Sequence, residues 1–170
     1  MHKIGRTQVY LILLAALALQ AGPLESIKVL GARPDILLAC VVFFGLFLGP
    51  AAGFEAGLAA GIFKDIFALD FFWMNALILG VTGLLAGAVS AKFFKESKRT
   101  EFLLVTVFNA FAMSVHFLIV SILPGSLAFG FGGFFISSVI PASIYTGLLS
   151  VPVYRWLISF YNLKEAEDYL

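Results

Sequence analysis

The sequence has few charged residues and very little cysteine or histidine. Asp, Glu, Lys and Arg make up only 12% of the 170 residues, about half their share in an ordinary soluble domain, whereas hydrophobic residues make up 61%. The net charge of +1 gives a polyanion no electrostatic reason to bind, so we expect no nucleic-acid partner. This composition excludes an ordinary soluble enzyme and predicts an all-α integral membrane protein with a single transmembrane domain over residues 1–170.

The single cysteine, Cys40, excludes an intrachain disulfide. It lies in the apolar run LLACVVFFGLF, where a thiol behaves as a small hydrophobic group. No spacing of His, Cys, Asp and Glu resembles a metal site, and there is no Gly-rich phosphate loop of the usual form. We therefore expect no metal, no cofactor and no catalytic residue.

Six apolar segments predict six transmembrane helices in one bundle. They cover approximately residues 7–22, 35–48, 50–69, 75–94, 101–123 and 134–159. The second segment is short for a hydrocarbon core about 30 Å thick, but a helix joining it to the third would carry Gly49-Pro50 in its middle, so a break there is the better interpretation. The first segment also resembles a signal peptide, although an uncleaved first span is the simpler interpretation.

The basic residues indicate the orientation. With six spans and the N-terminus inside, eight Lys and Arg residues lie on the cytoplasmic side and three lie outside, in agreement with the positive-inside rule. The inner set is Lys3, Arg6, Lys92, Lys95, Lys98, Arg99, Arg155 and Lys164, and the outer set is Lys28, Arg33 and Lys64. Merging spans two and three and inverting the protein gives the same count, so span length decides in favour of six spans with both termini in the cytoplasm.

A row of small residues four apart, ending in a carboxylate, is the most informative pattern. The row is Gly49, Gly53, Gly57, Gly61 and Asp65. In water such a helix would be weak, because each interior glycine costs about 1 kcal/mol relative to alanine. In a bilayer, small residues let two helix backbones approach closely. The row therefore predicts a packing face, either for a partner's helix or for another helix of this chain, with Asp65 in a structural or partner contact at its end.

Polar groups inside the predicted spans are the other candidate site residues, because they are costly in hydrocarbon. We group Glu55, Asn109 and His116 as a candidate internal polar site. Glu55 lies five residues after Pro50 and is either protonated, paired with a cation, reached by water, or a headgroup-level group with no special role. Asn109 and His116 share one face of the fifth span, where they either link helices by hydrogen bonds or line an internal polar cavity. Lys64 is expected to extend to the membrane surface.

Three motifs, in this order, give the chain a family resemblance. They are Arg33-Pro34-Asp35 at the start of the second span, Gly57-x-x-x-Gly61-x-x-x-Asp65 in the third, and Asn75-Ala76-Leu77 at the start of the fourth. Together with the chain length and the six-span layout, they resemble the rod shape-determining protein MreD family along nearly the whole chain. The segment Phe67–Trp73 departs from the pattern, because the family often has small residues there.

The resemblance implies a non-enzymatic scaffold in the machinery that elongates the bacterial cell wall. MreD-like proteins are partners of the bitopic protein MreC, and the same machinery contains MreB filaments and a transglycosylase–transpeptidase pair. The resemblance also implies a multi-pass protein of the bacterial cytoplasmic membrane, with an architecture like the S component of energy-coupling-factor transporters. We expect the glycine face, or the spans that it positions, to contact MreC.

Other functions have weaker support in the sequence. The chief alternative is a true S component that binds a vitamin near the outer face, although the first span has only a partial match to the AxxxA docking pattern of that family. A membrane enzyme would need a polar constellation at one boundary, and Glu55, Asp65 and His116 are dispersed along the chain. A channel would need a polar stripe along the full depth of a span, and no segment has one.

Overall fold

The computed structural model describes residues 5–22, 33–67, 73–93, 98–122 and 130–161, and within these ranges the protein is helical and contains no strand. The helices are α1 (Arg6–Ala21), α2 (Ile36–Leu48), α3 (Pro50–Phe67), α4 (Met74–Phe93), α5 (Lys98–Ile122) and α6 (Phe131–Phe160). The all-α prediction is confirmed. The predicted span residues 68–69, 94 and 123 lie outside the described residues.

Two of these helices are long and apolar enough to cross a membrane by length and composition alone. They are Arg99–Ile122 of α5, with a mean hydropathy of 2.1, and α6, with a mean hydropathy of 1.6. The apolar helices α1 and α2, and the Met74–Ser90 part of α4, are shorter. The 13 residues of α2 rise only about 20 Å, against a hydrocarbon core of about 30 Å. Length and hydropathy thus support two of the six predicted spans.

Helix α2 is the centre of the bundle and contacts each of the other five helices. It begins where Oδ1 of Asp35 accepts a hydrogen bond from the main-chain nitrogen of Leu38 at 2.9 Å, which satisfies a first-turn N–H group. Every residue from Leu37 to Leu46 is buried. The apolar character that α2 has on all sides is explained by this position, because a helix surrounded by others has no polar face.

Helices α2 and α3 form a hairpin that turns at Gly49. The φ angle of Gly49 is +91°, in a region of backbone conformation that glycine occupies without steric cost. Pro50 follows as the first residue of α3, where its missing N–H group costs nothing. A Cβ atom built on Gly53 would lie 2.7 Å from the Cα atom of Gly45, so the two helices lie against each other and do not continue as one.

Helix α6 contains an irregular turn near its start. The α-helical turn Phe131–Phe134 leads into a π-helical segment, Phe135–Val139, and the α-helix resumes over Ile140–Phe160. Pro141 follows the π segment and has no N–H group to donate to an earlier carbonyl, so a regular α-helical ladder is interrupted here. Such π turns occur frequently near functional sites, and this one directly follows a residue of the cavity described below.

Candidate functional site at the polar end of the bundle

Asp65 lies in the last turn of α3 and caps the start of α4. Its Oδ1 atom accepts hydrogen bonds from the main-chain nitrogen of Asn75 at 3.1 Å and from Asn75 Nδ2 at 2.7 Å. Its Oδ2 atom accepts from the main-chain nitrogens of Trp73 at 3.0 Å and Ala76 at 3.1 Å. The main-chain N–H groups of the first turn, here those of Asn75 and Ala76, have no partner within the helix, and the positive end of the helix dipole attracts a carboxylate. Asp65 is only 3% exposed, so its contact is a structural one within its own chain.

Trp73 adopts an unusual backbone conformation at this cap. Its φ angle is +88°, the only positive value of a non-glycine residue in the described part of the chain. A bulky side chain is disfavoured there, so the surrounding contacts must hold the conformation in place. The hydrogen bond from the Trp73 nitrogen to Asp65 is one such contact. The indole itself is 58% exposed and does not fill the core.

Helix α4 covers the glycine row of α3. A Cβ atom added to any of three glycines of the row would overlap the main chain of α4, which means that the two backbones touch. The overlaps pair Gly53 with Gly83, Gly57 with Leu79, and Gly61 with Ala76. Small residues four apart permit this approach. Gly49 is the exception, because no atom lies within 4 Å of its added Cβ and it serves the turn instead.

The Arg33-Pro34-Asp35 motif places a carboxylate against the end of α3. Lys64 Nζ lies 2.6 Å from Asp35 Oδ2, and the two side chains are 30% and 18% exposed. The main-chain nitrogen of Asp35 also donates to Thr146 Oγ1 in α6 at 3.0 Å. From the sequence we expected Lys64 to extend to the membrane surface. In the structure it is held instead by the carboxylate of Asp35, which has the opposite charge. The pair joins α2 to α3 and lies beside α6.

A cavity of about 100 Å³ opens beside this ion pair. Its polar lining consists of Asp35, Lys64, Asn75, Asn109 and His116. Its apolar lining consists of Leu38, Ile78, Leu79, Ala112, Met113 and Phe134. Five helices contribute to it, so the cavity exists only in the assembled bundle.

The structure brings Asn109 and His116 together on the wall of this cavity. Asn109 is 1% exposed, and its Nδ2 atom donates to Ser143 Oγ of α6 at 3.1 Å. The same Nδ2 atom lies 3.5 Å from Met113 Sδ. Asn109 thus links α5 to α6 and also lines the cavity.

Glu55 does not line this cavity. The hydroxyl of Tyr10 donates to Glu55 Oε1 at 2.6 Å, and Arg6 Nε lies 3.1 Å from the same oxygen. These contacts join α1 to the first part of α3, whereas Lys64 and the cavity lie at the end of α3. The Glu55 and Arg6 side chains are 38% and 81% exposed, so this cluster is close to the surface. Of the three residues grouped as an internal polar site, the structure brings together Asn109 and His116 only.

Sequence reasoning missed the Asp35–Lys64 pair and the role of Asn75. The pair joins residues 29 apart, and no local spacing signals such a contact. Asn75 offered a weak signal, because Asn is favoured where helices begin, and here it lies at the start of α4. The donor set that Asn75 presents to Asp65 depends on how the end of α3 meets the start of α4, which no periodicity in the sequence describes.

Comparison with known families decides the assignment of the chain. The family model described as rod shape-determining protein MreD matches residues 1–164 of the 170. The chain belongs to the MreD family. Searches of curated proteins and of solved structures gave no match. The resemblance seen in the sequence is thereby confirmed, and membership gives the protein a role in the determination of rod shape.

The motifs that suggested the MreD family have structural explanations in this chain. Asp35 caps α2 and binds Lys64. The glycines of the third segment contact α4, and Asp65 caps that same helix through Asn75. All three motifs therefore serve one end of the bundle, where α2, α3 and α4 meet around the cavity.

Proposed function

We propose that this MreD-family protein is a non-enzymatic membrane subunit of the machinery that elongates the cell wall, and that MreC is its direct partner. The observation that carries the proposal is the family match over residues 1–164. MreB and the wall-synthesis transglycosylase and transpeptidase belong to the same complex in this proposal. The internal contacts support a scaffold, because the carboxylate oxygens of Asp35 and Asp65 are engaged in helix caps or an ion pair.

The proposed location is the bacterial cytoplasmic membrane, with all six helices spanning it and both termini in the cytoplasm. The short helix α2 supports this arrangement through its burial, since it is enclosed by the other five helices and lipid does not have to match its length. Leucine, isoleucine and valine side chains are exposed along α1, α4, α5 and α6, as a lipid-facing surface requires. In this orientation the Asp35–Lys64 pair lies at the outer side and the Arg6–Glu55 pair at the cytoplasmic side.

The contact with MreC requires a surface other than the glycine row, because α4 covers that row. We assign the contact with MreC to the face of α4 that points away from α3. The glycine row determines the position of this face, because it fixes how α4 packs on α3. Leu77, Val81 and Leu84 on this face are 49%, 39% and 40% exposed. They recur at intervals of four and three residues, so they form one stripe along the helix. A single transmembrane helix of the partner can pack along such a stripe.

Co-purification from the native membrane tests the proposal. The tagged protein, extracted in mild detergent, is expected to recover MreC in near-stoichiometric amounts, together with wall-synthesis proteins, as identified by mass spectrometry. Photo-crosslinking amino acids at Leu77, Val81 and Leu84 are then expected to crosslink to MreC. The matched control positions are Leu103 and Val107 on α5, which are exposed to a similar or greater degree (57% and 61%). Crosslinking from α5 alone would refute the α4 face, and absence of MreC from the purified complex would refute the partnership.

The size of the cavity argues against the alternative function of a vitamin carrier. Sites for drug-sized ligands usually enclose about 300–1,000 Å³. The cavity beside Lys64 encloses about 100 Å³, which is too small for a vitamin in this conformation. Recovery of transporter ATPase and membrane subunits in the same co-purification would nevertheless favour the carrier over the scaffold.

A further inference from the structure

The cavity beside Asp35 and Lys64 has a chemical character that the scaffold role does not use. Its polar wall combines one carboxylate, one ammonium, two amides and one imidazole. The remaining lining residues are apolar and include Phe134, whose ring is stacked on Phe117 with 4.4 Å between ring centroids. A space lined by both kinds of side chain matches the usual form of a small-molecule site, in which a few fixed polar groups orient a ligand held by apolar contacts.

We propose that this cavity binds a zwitterionic group with a primary ammonium and a nearby anion, as found in an ethanolamine phosphate. This inference goes beyond the proposed scaffold function and does not depend on MreC. The formal charges of Asp35 and Lys64 sum to zero, so a ligand with net charge would bring an uncompensated charge into a poorly solvated site, which is costly. A zwitterion aligned antiparallel to the pair compensates both charges. Its anion accepts a hydrogen bond from Lys64, and its ammonium donates to Asp35 Oδ2.

The geometry of the ion pair leaves capacity for these contacts. The ammonium of Lys64 has three N–H donors, and the 2.6 Å contact with Asp35 Oδ2 uses one of them. The two side chains are 30% and 18% exposed, so the pair is partly accessible. Phe134 also lines the cavity, and an ammonium is attracted to an aromatic ring.

The size of the cavity restricts the ligand further. An engineered apolar cavity of about 150 Å³ holds benzene, with its six carbon atoms. By the same scale, a cavity of about 100 Å³ accepts about four non-hydrogen atoms. The nitrogen, two carbons and ester oxygen of an ethanolamine group make up such a set, with the phosphate at the cavity mouth near Lys64. A trimethylammonium group is excluded on two grounds, because it is larger and has no N–H donor for Asp35.

Two sources supply this chemistry, namely the head group of phosphatidylethanolamine and a soluble zwitterion. The experiment reconstitutes the full-length protein in nanodiscs of pure phosphatidylcholine and measures its thermal unfolding. In one arm, part of the phosphatidylcholine is replaced by phosphatidylethanolamine; in another, soluble O-phosphoethanolamine is added to discs of phosphatidylcholine alone. A rise in the unfolding temperature of about 2–4 °C is expected from mass action in the arm that supplies the ligand. A response in the lipid arm alone identifies the lipid as the source, and a response to the soluble probe identifies the free solute.

Two controls separate occupation of the cavity from general effects of the additives. Soluble phosphocholine replaces phosphoethanolamine, and phosphatidylglycerol replaces phosphatidylethanolamine; neither is expected to shift the unfolding temperature. Ala112→Leu, which fills the cavity, is expected to abolish the shift, and the matched variant Ala110→Leu, which alters the same helix outside the lining, is expected to retain it. The proposal is overturned if neither ethanolamine probe stabilises the wild-type protein, or if phosphatidylglycerol or phosphocholine stabilises it equally. A shift that Ala112→Leu retains in full would also overturn it.

Discussion

Asp65 and Asn75 are joined twice, since the main-chain nitrogen and the side-chain Nδ2 of Asn75 lie 3.1 Å and 2.7 Å from the same oxygen, Asp65 Oδ1. These two hydrogen bonds join the last turn of α3 to the first turn of α4. Because the two helices touch at Gly53, Gly57 and Gly61, fixing them at one end also fixes how these glycines meet α4. The carboxylate of Asp65 and the glycines of the row therefore stabilise the same contact between α3 and α4.

Loss of this cap is expected to destabilise the protein. Asp65→Ala removes the acceptor for four hydrogen bonds and leaves first-turn N–H groups of α4 without partners in a buried place. We expect a loss of about 2–4 kcal/mol in the free energy of unfolding, measured by denaturant titration in detergent micelles. The matched control is Glu55→Ala on the same helix, where the carboxylate is 38% exposed and the expected loss is below about 1 kcal/mol. Equal losses for the two variants would contradict the capping role.

A methyl group on the glycine row is expected to separate α3 from α4. Gly57→Ala places a Cβ atom against the main chain at Leu79, which has no freedom to rotate away. The expected cost is about 1–3 kcal/mol, measured as above. Gly132→Ala is the control, because Gly132 lies in a helical turn with no atom within 4 Å of its added Cβ, and it is expected to be neutral or slightly stabilising. The interpretation fails if Gly57→Ala is as well tolerated as Gly132→Ala.

Gly49 is expected to resist substitution for a different reason. There is space for a side chain, but the φ angle of +91° is strained for any L residue. Gly49→Ala is therefore expected to cost about 1–3 kcal/mol through the backbone alone. Thermal unfolding of Gly49→Ala beside Gly132→Ala isolates this effect, since both changes add a methyl group in open space. A neutral Gly49→Ala would show that the turn between α2 and α3 relaxes to another conformation.

The Asp35–Lys64 and Arg6–Glu55 ion pairs are expected to differ in strength. In a double-mutant cycle, Lys64→Met and Asp35→Asn are expected to show a coupling energy of about 1–3 kcal/mol, because the pair is largely buried. The cycle with Arg6→Met and Glu55→Gln is expected to give less than about 1 kcal/mol, because Arg6 is 81% exposed. The measurement is the unfolding free energy of each single and double variant. A coupling at Arg6–Glu55 that equals the one at Asp35–Lys64 would reverse this ranking.

The sequence by itself determined the class and the elements of this protein. Apolar runs, the Gly49-Pro50 pair and the polar residues between runs are local signals, because a helix forms and ends through contacts among residues a few positions apart. The helix bounds consequently follow the apolar segments closely, and the order of short motifs was enough to indicate the family. The glycine row likewise predicted close packing, since a residue without a side chain lets its backbone touch the backbone of any neighbouring helix.

Only the tertiary structure decided what each of these features contacts. The glycine row packs on α4, Lys64 meets Asp35 across 29 residues, and Glu55 is separated from Asn109 and His116. Such contacts depend on how helices are placed around α2, and the sequence allows several placements with the same periodicity. The cavity is the extreme case, since five helices must assemble before its walls exist. Local chemistry thus specified the helices, and the packing of nonadjacent segments specified the site.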